Sequence, residues 1–246
     1  MTALSIEIRR KRYPARGPGP ERTAIENLSI AAANGEFLCL VGPSGCGKTT
    51  LLHLIAGLDA DFEGSIDTGT AGPPRIGYVF QEPRLLPWRT VRQNIELALP
   101  ETGPDRGTLI DSLLRAMDLQ DAAHQYPRRL SLGMSRRAAL VRAFALEPDL
   151  LLMDEPLVSL DAPTARRIRE LLVRVWLERP HTVIYVTHDL REAIALADRL
   201  VFLKSSPAAV LHQVTVNIPR GRRGEAEIEA FRQHLVEEHP EIRELL

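Results

Sequence analysis

Five apolar runs bounded by turn residues punctuate the chain: FLCLV at 37–41, IGYVF at 76–80, LLLM at 150–153, VIYV at 183–186 and LVFL at 200–203. Runs this short and this continuously apolar predict strands covered on both faces. Helix-like segments lie between several of them, which predicts an alternating α/β fold with a largely parallel central sheet. Two earlier segments, 4–8 and 28–32, alternate apolar with polar or small residues and predict half-exposed antiparallel strands near the entrance of the fold. From 91 to about 146 helical periodicity takes over and predicts an inserted helical lobe. Near the end come a weak strand candidate at 210–218, a loop PRGRRGE, and a helix over 225–237. The expected organisation is one domain over 1–246, with a core made of 1–90 and 147–246 and a helical subdomain at 91–146.

Composition narrows the class. At 246 residues with 44% hydrophobic and 26% charged positions, the chain can bury a full core and is neither disordered nor fibrous. A net charge of −1 removes the general electrostatic case for nucleic acid as a partner. Local basic clusters at Arg9, Arg10, Lys11, Arg12 and Arg16, and at Arg220, Arg222 and Arg223, carry no interleaved aromatics and are expected to be solvated surface. No run approaches the roughly 18 apolar residues that span a bilayer, and the start lacks the apolar stretch of a signal peptide, so a cytoplasmic chain is expected. Cys39 and Cys46 have no neighbours at metal spacing and are expected to be reduced core or loop residues.

The first chemistry lies at GPSGCGKTT, made of Gly42, Pro43, Ser44, Gly45, Cys46, Gly47, Lys48, Thr49 and Thr50. It fits G-x-x-x-x-G-K-[ST] in full and directly follows the FLCLV strand, the context in which this pattern builds a phosphate-binding loop. Its glycines let successive N–H groups turn inward around an anion. Lys48 adds a full positive charge near the β and γ phosphates, and the following helix points its positive end at the same place. Thr49 offers a hydroxyl oxygen to Mg²⁺.

A second feature is LLLMDEP at 150–156, an apolar strand ending in two acids. Asp154 is placed to hold Mg²⁺, through water, because that ion gives up its hydration reluctantly. Glu155 projects differently and is a candidate general base that polarises an attacking water. These two features alone leave a small-molecule kinase or a GTPase open.

With Gln81 after a strand (YVFQE), LSLGM at 130–134 before a helix, SLD at 159–161 and His188 after another strand (YVTHD), the chain resembles the ATP-binding subunit of an ABC transporter over nearly its whole length. The resemblance implies a P-loop NTPase with an N-terminal antiparallel β portion, and two copies clamping two ATP molecules with Mg²⁺. It implies that Ser131 and the N–H of Gly133 reach the γ-phosphate held by the partner copy and that Asp161 contacts the opposite subunit. His188 would reach the γ-phosphate and hold the water and Glu155 in place. Gln81 would approach Mg²⁺, and Tyr13 would stack on adenine. The family turn reads L-S-G-G-Q, so Leu132 and Met134 depart from it. The hydroxyl and amide that would meet phosphate survive, and leucine at 132 costs little if that position is helical or extended.

Leu85, Leu86, Pro87 and Trp88 form an apolar knob which, by resemblance, faces a transmembrane permease. The wording LLPWRTVRQNI is similar to importers of nitrate, sulfonates and taurine. The implied function is an ATP-hydrolysing subunit, peripheral on the inner face of the membrane, serving a permease and, indirectly, a periplasmic binding protein. An exporter subunit stays open within that class. The alternative from another class is an ATP-binding regulatory or scaffold module with low turnover because of the altered LSLGM turn.

Overall fold

A computed structural model describes residues 2–14, 21–99 and 106–243; Arg16 of the first basic cluster lies outside them. In chain order the elements are β1 (Thr2–Tyr13), β2 (Arg22–Ala33), β3 (Phe37–Val41), α1 (Lys48–Ile55), β4 (Glu63–Asp67), β5 (Ile76–Val79), α2 (Val91–Glu96), α3 (Arg106–Ala116), α4 (Leu132–Ala145), β6 (Leu150–Asp154), α5 (Ala162–Glu178), β7 (Thr182–Thr187), α6 (Leu190–Leu196), β8 (Arg199–Lys204), β9 (Ala209–Thr215), α7 (Glu225–Glu238) and α8 (Pro240–Arg243). They pack as two compact units, Met1–Pro73 with Thr182–Leu246, and Pro74–His181.

The first unit holds an antiparallel sheet with β1 between β2 and β4, in which Ile6 pairs with both Ile30 and Ile66. Alternation decides its faces: Leu4, Ile6 and Ile8 point inward and are buried, as are Leu28, Ile30 and Ala32 on β2. β4 escapes the sequence pattern because EGSID carries no buried side chain; its pairing with β1, not hydrophobicity, makes it a strand. The unit's other strands run β7-β3-β8 in parallel, with β9 antiparallel on β8. Every residue of β3 and β7 is buried, which is why both read as unbroken apolar or small runs.

The expectation that both basic clusters are solvated surface fails for several of their residues. Lys11 is 2% exposed, with its Nζ 2.9 and 2.8 Å from the two carboxylate oxygens of Asp59 and 2.6 Å from the Asp61 carbonyl. A buried ammonium persists only where paired and hydrogen-bonded in this way. Arg223 donates to the carbonyls of Ile194, Ala195 and Ala197 at 3.2, 3.3 and 2.7 Å, and Arg220 to that of Leu196 and to Asp198. Both guanidiniums therefore close the negative end of α6. Burial, reinforced by the neighbouring Arg220 charge, lowers the Arg223 pKa to about 10, so it stays charged at neutral pH.

In the second unit β5 and β6 pair in parallel, Val79 beside Met153. α4 packs against β5, α2, α3 and α5. Its buried alanines, at 138, 139, 143 and 145, are small enough to let neighbours approach on several sides. The result is the α/β class expected from sequence: parallel strands in each unit, an N-terminal antiparallel sheet, and helices.

Candidate functional site

In the first unit β3 ends at Val41 and the chain enters residues 42–47, which lead straight into α1. Gly47 stands at φ 102°, where a Cβ would also lie 3.1 Å from the Ala208 Cβ and 3.3 Å from the Ala24 carbonyl oxygen. Any other residue there would be strained twice over. Lys48 opens α1 and is 5% exposed; its Nζ donates to the carbonyls of Gly42 at 2.7 Å and Pro43 at 2.9 Å. The ammonium is thus held inside the loop, at the positive end of α1. Ser44, Gly45 and Thr49 are exposed along it. Tyr13, at the end of β1, joins this group: its hydroxyl is 3.2 Å from Thr50 Oγ1 and its ring centroid 4.8 Å from Lys11 Nζ.

His188 leaves the same end of the same sheet, because Val41 and Thr187 are register partners on β3 and β7. The backbone on both sides of it is fixed. Thr187 Oγ1 donates to the Glu192 carboxylate at 2.6 Å and accepts the Asp189 N–H at 3.0 Å, and Tyr185 donates to the other Glu192 oxygen. Asp189 in turn caps α6, accepting from the N–H groups of Arg191 and Glu192. His188 itself is exposed. Glu192 was missed in the sequence, where nothing sets it apart from an ordinary helix acid.

The second unit places Gln81 just past β5 and Asp154 and Glu155 at the end of β6. Asp154 is 5% exposed; burial, and then the Asp154 charge, push the Tyr78 hydroxyl well up from its ordinary value. Glu155 stands at φ 43°, in the left-handed region, which costs a non-glycine residue about 1 kcal/mol. Arg136, 6% exposed on α4, donates to the carbonyls of Gln81, Glu155 (3.5 Å) and Val158 (2.9 Å). One buried guanidinium therefore ties the segments that carry the glutamine and the acids to α4, the helix that begins within LSLGM. The signal for it in the sequence is its place on the i, i+3, i+4, i+7 stripe with Ala139, Leu140 and Ala143, all buried.

Ser131 is the N-cap of α4, its Oγ accepting the Met134 N–H at 3.2 Å, and a hydroxyl used in this way can still donate its own proton. Asp161 caps α5 in the same way, accepting the Thr164 N–H at 3.0 Å; that bond holds its carboxyl below the usual range. The two caps adjoin, since a Cβ on Gly133 would come within 2.9 Å of the Thr164 Cγ2. Gly133, half-buried in the first turn of α4, is therefore favoured by close packing.

Leu132 is the first residue of α4 and 45% exposed. It sits in the helical region, where leucine carries no penalty. Leu132→Gly is accordingly expected to cost at most about 1 kcal/mol in thermal stability and to leave unchanged the single-turnover ATP hydrolysis that the resemblance implies. An inactive parent rescued by glycine would contradict that.

Each unit offers oxygen donors: the hydroxyl of Thr49 in the first, and the amide of Gln81 and the carboxylate of Asp154 in the second. Such a set suits a hard divalent ion such as Mg²⁺. The loop at 42–47, with amides, a helix start and one ammonium, suits a polyphosphate.

Residues 25–158 match the family model described as ABC transporter. The aliphatic sulfonates import ATP-binding protein SsuB of Bacillus subtilis (strain 168) is 39% identical over 249 residues, spanning 99% of this chain and 96% of the relative. The nitrate import ATP-binding protein NrtD of Synechococcus elongatus is 39% identical over 232 residues, spanning 89% of this chain and 83% of the relative. Among solved structures, the dimeric post-hydrolysis state of the ATP-binding cassette MJ0796, bound to ADP and Pi, superposes with a TM-score of 0.74 at 29% identity, covering 88% of this chain and 100% of that one.

Proposed function

This chain belongs to the ABC transporter family, a family of ATP hydrolases, and from that premise we propose that it energises import of a small oxyanion, an aliphatic sulfonate or nitrate. The observation that carries the reading is the 39% likeness to SsuB across 99% of this chain and 96% of the relative.

In this proposal residues 42–50 receive the phosphates of ATP, with the Lys48 ammonium on the β and γ groups and the Tyr13 ring against adenine. Thr49, Gln81 and Asp154 would hold Mg²⁺, which when bound neutralises phosphate charge. Glu155 takes the proton of the water that attacks the γ-phosphorus, and His188 keeps that water and the γ-phosphate aligned. Ser131, Gly133 and Asp161 act toward the nucleotide of a second copy, a reading supported by the dimeric state of MJ0796. The N-cap geometry at 131 is compatible with that role, because exposed N–H groups and a hydroxyl at a helix start suit an anion.

The partner that gives hydrolysis a purpose is proposed to be a transmembrane permease on the inner face of the membrane, fed by a periplasmic binding protein. No helix among the described residues is long and apolar enough to cross a membrane. Support for docking comes from Trp88, 69% exposed on a segment that is itself rigid. Asn94, 1% exposed, grips that segment by accepting from the Leu86 N–H at 2.6 Å and donating to the carbonyls of Leu86, Arg89 and Thr90. An aromatic side chain held out by a buried amide is an anchor suited to a groove-and-helix contact.

Deleting the gene in its host tests the substrate. The expected result is loss of growth on an alkanesulfonate as sole sulfur source, with growth on sulfate kept. Loss on nitrate as sole nitrogen source would select the other oxyanion, and growth unchanged on both would overturn the proposal.

A further inference from the structure

β9 and the α7–α8 corner carry a cluster that the nucleotide chemistry does not use. His212, on β9, lies beside His239 with ring centroids 3.8 Å apart, and His239 Nδ1 is 3.6 Å from the Glu241 carboxylate. One ligand atom from each of His212, His239 and Glu241 falls within 4.8 Å of the other two. We propose that these three residues form a binding site for a divalent transition-metal ion, of the Zn²⁺ class.

The local chain builds the arrangement. His212 is fixed in register opposite Phe202 on β8, whose side chain is fully buried. His239 ends α7, with its N–H on the Leu235 carbonyl at 3.0 Å, and Pro240 begins α8 directly after it. Proline cannot continue α7, so the chain bends there and brings Glu241 back toward His239. Ile242, fully buried, and Leu235, 2% exposed, anchor the corner from below. The two imidazoles are half-buried and the carboxylate exposed, so an ion can enter from solvent.

The donor set decides the metal. Two imidazoles and one carboxylate favour Zn²⁺, Ni²⁺ or Cu²⁺ over Mg²⁺, which prefers oxygen alone. In tetrahedral zinc with bonds of about 2.0–2.1 Å, neighbouring ligand atoms stand about 3.4 Å apart. The observed atoms lie within 4.8 Å of one another, more open by up to about 1.4 Å, so binding requires the Glu241 and His239 side chains to rotate inward. A fourth position is left for water. The site joins the end of the chain's last helices to the edge strand of the parallel sheet, so binding stabilises that corner.

The test uses the full chain without an affinity tag. Titration of ZnCl₂ in excess MgCl₂, followed by calorimetry, is expected to show one Zn²⁺ per chain, and CoCl₂ in its place is expected to give the visible bands of a tetrahedral site with nitrogen donors. His212→Ala and His239→Ala should each weaken binding at least about tenfold, Glu241→Gln should weaken it less, and ATP hydrolysis should be unchanged in all three. Should an alanine variant fail to fold, the Co²⁺ spectrum of the unaltered chain and the exposed Glu241→Gln variant decide the question. Absence of stoichiometric Zn²⁺ binding, a Co²⁺ spectrum without nitrogen ligation, or undiminished affinity in both histidine variants would overturn the site.

Discussion

Glu155→Gln is expected to lower ATP hydrolysis by about 10²–10⁴-fold while ATP binding is retained. The substitution keeps the side chain's shape and leaves the left-handed backbone at 155 as it is, so the change is confined to the loss of a base. Asp154, the buried acid beside it, keeps its charge and its place at the end of β6. Phosphate release measured against a nucleotide-binding titration separates the two effects. Hydrolysis within about threefold of the parent would remove Glu155 as the base, whatever else held.

Lys48→Met is expected to weaken ATP binding by about ten- to a hundredfold, since each charge-assisted hydrogen bond it loses is worth about 1.5–3 kcal/mol. Methionine fills a comparable volume, so the cavity cost is small and the missing ammonium dominates. The same ammonium also satisfies the Gly42 and Pro43 carbonyls, so thermal melting of the free protein should fall as well. A fluorescent nucleotide titration checks the first effect and a melting curve the second. Unchanged affinity would mean that the loop does not hold the phosphates.

Individual residues show where sequence reasoning reached and where it stopped. Strands β3, β6, β7 and β8 were legible because continuous apolar runs have one use in an α/β chain, and the loop at 42–50 because its glycines and lysine have one arrangement that repays them. β4 was not legible, since its polar residues contribute only backbone pairing to β1. Lys11 and Arg223 looked like solvated charges because a sequence shows what a side chain is and not what faces it; Asp59 lies 48 residues from Lys11, and the α6 carbonyls lie more than 25 from Arg223. The leucine at 132 was an open question for the same reason: a turn's tolerance depends on φ, and only the structure shows that the residue is helical.

The sequence by itself determined the class of fold, the glycine-rich loop at 42–47 with its lysine, and the pair of acids at the end of β6, because each is encoded by neighbours within a dozen residues. The tertiary structure alone decided which charges are buried, how Arg136 joins Gln81, Glu155 and Val158, how Glu192 steadies the chain around His188, and how His212 meets His239 and Glu241. These are contacts between segments whose meeting depends on the packing of whole elements, and no local pattern of apolar and polar residues carries that information.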